Sequence, residues 1–208
     1  MKRVLAPLVF FSFVLSFVFS ALAAPNFADM DRKHPAAHKV NVMVDYKVMS
    51  GVTYNQFRGD LPFNRFQLAE ALDALLGKRK IPQTNIIIIS DINPNSPRYR
   101  LVSRVLQAGL IEMDSGDFQG LRPISRYEIA DSLHRLLTFM SAQPPLPRDK
   151  EIRLKDVKAD FKDAVEQFTN VWQITAGYPD GKFRGDKEVS RYEAAIMLSK
   201  VGGMLYDD

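Results

Sequence analysis

The sequence contains no cysteine and few histidines. Because cysteine is absent from its 208 residues, no disulfide stabilises the protein, no lipid is attached through a cysteine, and no thiol can act as a nucleophile. Of the three histidines, His34 and His38 are spaced to share a metal ion, but no third ligand accompanies them. We therefore predict no metal, no cofactor and no catalytic activity. An enzyme that uses a pair of perturbed carboxylates is the alternative.

Long apolar runs are absent after residue 22. The one long run, residues 4–22, follows Lys2 and Arg3 and overlaps Ala21-Leu22-Ala23, the kind of site at which export peptidases cleave. We therefore predict a cleaved signal peptide at residues 1–23, an exported protein, and no membrane span after cleavage. An uncleaved anchor is the alternative, because the run of 19 residues approaches the length that spans a bilayer.

The sequence after the predicted signal peptide also lacks a large net charge of either sign. Without the two basic residues of the signal peptide, 26 basic residues face 24 acidic ones, and no basic run is present. This balance gives little support to nucleic-acid binding. The roughly 185 remaining residues are enough for one domain with a hydrophobic core.

Three segments of the remaining sequence share one pattern. Each opens with an apolar residue, any residue, an aspartate and a second apolar residue. An arginine follows the aspartate after 36, 35 or 35 positions. The aspartates are Asp29, Asp91 and Asp156, and the arginines are Arg65, Arg126 and Arg191. Spacing this regular indicates tandem copies of one structural unit. We place the first unit at residues 27–76, the second at 89–140 and the third at 154–205, within one domain.

Each unit is predicted to form a short extended segment, a helix, a loop and a second helix. In the third unit Phe161, Val165, Phe168 and Trp172 are spaced to lie on one helical face. The loops are predicted at residues 51–60, 112–120 and 177–186. Between units, the isoleucines of 86–89 predict a short buried strand, and the prolines of 141–149 predict a stiff linker.

The second helix of each unit begins with a capping box. Its cap residues are Asn64, Ser125 and Ser190, and its partners three positions later are Gln67, Glu128 and Glu193. Helix initiation does not explain the arginine between them, because a cation at the first helical position opposes the helix dipole. Two roles are open: the arginine binds an anion beside the free amides of the helix start, or it forms a salt bridge to the opening aspartate.

These residues resemble the S-layer homology domain. The loop Gly177-Tyr178-Pro179-Asp180-Gly181 and the box Ser190-Arg191-Tyr192-Glu193 are similar to that family's Gly-Tyr-Pro-Asp-Gly loop and Thr-Arg-Ala-Glu box. The resemblance extends over residues 27–205 and is closest in the third unit.

The resemblance implies a fold and a function. It implies a mainly α structure in which three helix–loop–helix units are arranged with pseudo-threefold symmetry around a central bundle of box helices. It also implies that grooves between units bind cell-wall polymers, either pyruvylated polysaccharide or modified peptidoglycan. The ligand-binding residues that it implies are Arg65, Arg126, Arg191, Gly51, Gly177, Asp180 and Gly181.

Departures from the family pattern favour the third unit as the best site. The first unit has Gln67 in place of the box glutamate and lacks the Pro-Asp-Gly turn, and the second has Met113 where the loop glycine is expected. We therefore predict a non-catalytic protein of the periplasm, cell envelope or cell surface that anchors to the wall. The alternative is an envelope adaptor that keeps the fold and binds other proteins.

Overall fold

The computed structural model describes residues 27–82, 86–113 and 116–206, and the predicted signal peptide lies outside them. Within this part of the chain the structure is mainly helical, as predicted, and contains isolated β-bridges but no strand. None of its helices has the length and apolar character required to cross a membrane. The α-helices are α1 (Ala37–Asp45), α2 (Arg65–Leu76), α3 (Pro97–Gln107), α4 (Arg126–Phe139), α5 (Lys162–Glu166) and α6 (Arg191–Tyr206).

Two of these helices fall in each predicted unit. The short helix α5 is extended at both ends, by a 3-10 turn at Ala159–Phe161 and by a π-helical turn at Gln167–Val171. The predicted apolar face of this segment is confirmed, because Val165, Phe168 and Trp172 are all buried. The first helix of each unit packs against the second helix of another unit: α3 on α2, α5 on α4, and α1 on α6.

The predicted capping boxes are present at the starts of α2, α4 and α6. The Asn64 side chain accepts a hydrogen bond from the Gln67 amide at 2.9 Å, and the Gln67 side chain accepts one from the Asn64 amide at 3.1 Å. The same reciprocal pair is made at the start of α4 and, in α6, between Ser190 and Glu193. Local sequence therefore determines where these helices begin.

The residues that precede the three caps meet at the centre of the molecule. The amide of Phe63 donates to the carbonyl of Val189 at 2.8 Å, that of Ile124 to Phe63 at 2.9 Å, and that of Val189 to Ile124 at 3.0 Å. These three hydrogen bonds form a closed ring, and all three side chains are at most 1% exposed. The ring brings the starts of α2, α4 and α6 together, so that the core surrounds it.

The opening aspartates close the loops of their own units. Both oxygens of Asp156 accept backbone hydrogen bonds, from Phe183 at 2.6 Å and from Arg184 at 2.9 Å. Asp29 and Asp91 bind the matching loop amides in the same way. Arg184 has a φ of 55°, as do its counterparts within a few degrees, so the carboxylate supports a left-handed turn. The structure assigns these aspartates to loop closure and not to ion pairs with the box arginines.

The strand predicted at the isoleucines is wrong. Ile86 is 94% exposed and Ile88 is 73% exposed, whereas Ile89 alone is fully buried. No neighbouring extended segment in the described residues pairs with this run, so its β-propensity has no partner to satisfy. The segment 141–148 has no regular structure and is largely exposed, as the prediction of a linker requires.

Candidate binding grooves between units

Each box arginine begins a helix and reaches into the loop of another unit. Arg65, Arg126 and Arg191 are 7%, 4% and 3% exposed. Each donates from Nε to the carbonyl of a loop phenylalanine: Arg65 to Phe118, Arg126 to Phe183, and Arg191 to Phe57. The arginine of the first unit thus binds the second loop, that of the second unit binds the third loop, and that of the third unit binds the first loop.

These contacts define three grooves. The 3/1 groove contains Arg191 and the first loop, the 1/2 groove contains Arg65 and the second loop, and the 2/3 groove contains Arg126 and the third loop. The expectation that the third unit holds one intact site therefore needs correction. Arg191 lies with Gly51, while Gly177, Asp180 and Gly181 lie on the loop that Arg126 reaches. The sequence order within a unit does not show this exchange, because the partner loop belongs to a different unit.

The 3/1 groove is an open cavity of about 600 Å³. Arg191 is held in its wall by two carbonyl oxygens, that of Phe57 at 2.9 Å and that of Ser50 at 2.5 Å. Burial lowers the pKa of Arg191, and the charges of Asp29 and Glu70 only partly oppose this effect. No carboxylate forms an ion pair with Arg191 in the part of the chain that the structure describes. A buried guanidinium without a carboxylate partner favours an anionic ligand.

The first loop, in the 3/1 groove, has no room for a side chain at Gly51. A Cβ atom on Gly51 would lie 2.4 Å from the Thr53 carbonyl oxygen and 2.6 Å from the ring of Phe27. The loop then projects Tyr54, which lines the cavity and is 98% exposed. Tyr178, an aromatic residue of the third loop, is by contrast partly buried. An exposed tyrosine at the cavity edge can stack on a sugar ring.

The 1/2 groove is smaller and contains more carboxylates. Its cavity is about 390 Å³, and Arg65 forms an ion pair with Glu128 at 3.1 Å. Glu128 also pairs with Arg122. Burial raises the pKa of Glu128, but hydrogen bonds and charges, those of Arg122 and then of Arg65, outweigh burial and lower it overall. The carboxylate is therefore ionised at neutral pH and neutralises the arginine.

The 2/3 groove is occupied by a tyrosine of its own loop. The guanidinium carbon of Arg126 lies 4.9 Å from the centre of the Tyr178 ring. The Tyr178 hydroxyl is 3.4 Å from Glu193, which forms an ion pair with Lys187 at 2.8 Å. Burial raises the pKa of Glu193, but the hydrogen bond from Lys187 and the nearby charges, including Arg126, lower it overall.

The predicted loop residues of the third unit have structural partners. Asp180 forms an exposed ion pair with Arg184 at 2.9 Å. Gly177 and Gly181 adopt φ values of 77° and 75°, which favour glycine. A Cβ atom on Gly177 would also lie 2.6 Å from the side chain of Leu154. These contacts explain the loop motif through turn formation, so its residues shape the groove wall.

Sequence reasoning missed the second role of the box glutamine and glutamates. Gln67, Glu128 and Glu193 were interpreted as helix caps alone. In the structure Glu128 pairs with the arginine of the preceding unit, and Gln67 lines the cavity that contains Arg191. The signal in the sequence was that the first unit has Gln67 where the other two units have a glutamate. Its consequence for charge depends on which arginine this residue faces, and the sequence does not show that.

Comparison with known proteins supports the resemblance over part of the chain. The model of the S-layer homology domain matches residues 173–195. An S-layer homology domain is present there. This stretch contains the whole third loop and the start of α6, including Arg191. S-layer homology domains in general bind cell-wall polymers, which associates this segment with the cell envelope.

A protein of Thermotoga maritima also matches a short segment of the chain. Outer membrane protein alpha of Thermotoga maritima is 48% identical over 40 residues, which are 18% of this chain and 10% of that protein. The aligned part is thus about a tenth of the relative's length. Its name places that protein in the outer membrane, which agrees with an envelope association for the matching segment.

Proposed function

We propose that this protein is a non-catalytic anchor that binds a cell-wall polymer in grooves between three S-layer homology units. Its units are arranged with pseudo-threefold symmetry, and it is exported to the periplasm or cell envelope. The polymer is a pyruvylated polysaccharide or a modified peptidoglycan. The observation that carries this proposal is the 3/1 groove, an open cavity with a buried arginine in its wall and an exposed tyrosine at its edge.

The arrangement of contacts supports three related units. The closed ring of backbone hydrogen bonds joins equivalent residues of all three segments. The arginine-to-loop contacts follow the same cyclic order. Two independent sets of interactions therefore relate the first, second and third segments in the way that a threefold axis would, although the family match itself covers residues 173–195, a part of the third segment.

Co-sedimentation with purified cell-wall sacculi tests the proposal. Residues 24–208 are mixed with sacculi that keep their native modifications, and the pelleted fraction is measured. We expect wild type to pellet, Arg191→Ala to lose most of its binding, and the triple change of Arg65, Arg126 and Arg191 to alanine to stay in solution. Circular dichroism must show that each variant is folded, because these arginines also bind loop carbonyls.

A matched control separates the groove from general charge. Arg153 has a side chain that is 88% exposed and pairs with Glu151. Arg153→Ala removes the same charge outside the three grooves and should pellet like wild type. If folded wild type does not pellet with native walls, direct anchoring is wrong.

An envelope adaptor is the second candidate, and the exposed isoleucines favour it. Ile86 and Ile88 are apolar and accessible, and Arg65 is already paired with Glu128. Exposed apolar side chains of this kind are found at protein–protein contacts. This function would be supported if wild type did not pellet with native walls but bound a purified envelope protein. The Ile86→Ser variant should then lose its binding to that protein.

A further inference from the structure

We infer that the three grooves are not equivalent and that Gln67 makes the 3/1 groove the one that accepts an acidic group of the ligand. This inference rests on the proposed function and names the part of the polymer that is recognised. Gln67 is a specificity-determining residue because the glutamate at the equivalent position of the 1/2 groove, Glu128, forms an ion pair with Arg65. In the 2/3 groove the equivalent Glu193 adds a negative charge near Arg126.

The charges that line the two cavities support this difference. Among the residues that the structure describes, the 3/1 groove is lined by the cations Arg191 and Lys47 and by one carboxylate, Glu70. The 1/2 groove is also lined by two cations, but it contains four carboxylates, Glu112, Glu128, Asp131 and Asp186. The first cavity therefore carries a net positive charge, whereas the second carries a net negative charge. A carboxylate ligand is attracted by the first and repelled by the second.

The lone carboxylate of the 3/1 groove is partly engaged elsewhere. Glu70 faces Arg98 at 3.8 Å, on the outer side of α2. Asp29 also influences Arg191, but both of its oxygens accept hydrogen bonds from loop amides. Neither group forms an ion pair with the buried guanidinium, so its charge remains available to a ligand.

Gln67 differs from a glutamate at this position in more than its lack of negative charge. Its Oε1 atom accepts the hydrogen bond from the Asn64 amide that closes the capping box. The other polar atom of its side chain is then Nε2, which is a donor. A donor in the same cavity as a cation suits a ligand oxygen, whereas the glutamates at this position in α4 and α6 have only acceptor atoms when ionised.

The exchange of Gln67 for glutamate is a conservative test. Glutamate already closes the capping box of α4 and α6, so Gln67→Glu should leave the fold intact. We expect it to weaken binding to native sacculi at least tenfold. Glu70→Gln, which removes the lone carboxylate of the same cavity, should strengthen binding several-fold.

Two matched controls identify the groove. Glu128→Gln makes the reverse exchange in the 1/2 groove, removes one of its four carboxylates and should strengthen binding, whereas weaker binding would count against the inference. Gln143→Glu adds the same charge to the exposed linker and should bind like wild type. Sacculi whose carboxylates have been converted to neutral amides should bind wild type as weakly as native sacculi bind Gln67→Glu.

The outcomes separate the inference from the proposed function. If wild type binds native sacculi and Gln67→Glu binds equally well, the inference is wrong and wall anchoring stands. Undiminished binding to amidated sacculi would also overturn it. If wild type does not bind native sacculi at all, the proposed function itself fails.

Discussion

At the scale of single residues, three glycines show why units must fit together closely. A Cβ atom built on Gly120 would lie 2.2 Å from the ring of Phe66, and Gly59 and Gly185 face Tyr192 and Tyr127 in the same way. In each case the ring comes from the second position of a box helix in a different unit. The glycine is required by close approach and not by its backbone angles, since none of the three has a left-handed φ.

Gly120→Ala is therefore expected to destabilise the protein. The added methyl group must displace the Phe66 ring, and overpacking of this kind costs about 1–3 kcal/mol. Urea unfolding monitored by circular dichroism measures the change in the free energy of unfolding. Gly202→Ala is the control, because it lies inside α6 and its Cβ would make only a contact of 3.4 Å with Met43. Equal stability of Gly120→Ala and wild type would contradict the packing argument.

The box arginines illustrate what sequence can predict about a residue. Their recurrence at a position that disfavours cations indicates a role beyond helix initiation. The partner could not be predicted, because Arg191 and its acceptor Ser50 are 141 residues apart in the chain. Neither of the two roles considered from sequence included the loop carbonyls that these arginines bind.

At the scale of elements, each loop depends on the aspartate that opens its unit. Burial raises the pKa of Asp156, but the backbone hydrogen bonds from Phe183 and Arg184 together outweigh it, and the pKa is lowered overall. Asp29 is affected in the same way by Phe57 and Arg58. A carboxyl whose pKa is lower in the folded state stabilises that state above its unfolded pKa, and the contribution is lost as the pH falls through the folded value.

Asp156→Ala should therefore weaken the third loop at neutral pH. The carboxylate is largely accessible to solvent, so we expect a loss of about 1 kcal/mol in the free energy of unfolding. The difference from wild type should shrink as the pH is lowered below 3.8, the ordinary pKa of an aspartate, because the wild-type carboxylate then becomes protonated. Thermal unfolding between pH 7 and pH 3 measures this. Asp149→Ala, in the exposed linker, is the control and should unfold like wild type at pH 7. A difference between Asp156→Ala and wild type that grows towards low pH would refute the assignment.

Helix starts and the isoleucine run differ in how well sequence predicted them. A capping box is closed by residues three positions apart, so its geometry is local and the prediction is confirmed. A strand needs a partner strand, and residues 86–89 have none among the described residues. Propensity alone could not supply that partner.

At the scale of the whole molecule, the ring of hydrogen bonds at Phe63, Ile124 and Val189 makes each unit depend on the others. Every unit donates one of these bonds and accepts another. The first helix of each unit also packs on a helix from a different unit. No unit therefore buries its own apolar surface alone, and we expect the three to unfold together.

Hydrogen exchange tests this cooperativity. The amides of Phe63, Ile124 and Val189 should exchange only through global unfolding, with opening free energies that agree with each other and with the value from urea unfolding. NMR-detected exchange in native conditions provides the measurement. Much faster exchange at Val189 than at Phe63 would show that the third unit opens independently.

The sequence by itself determined the local features of this protein. Repeat spacing, helix starts and the envelope-related motif of the third unit follow from residues that are close in the chain, where backbone geometry and capping decide the outcome. Only the tertiary structure decided which arginine meets which loop and which groove keeps a positive charge. These properties depend on contacts between units far apart in sequence, and a repeat pattern specifies what each unit contains without specifying which neighbour it faces.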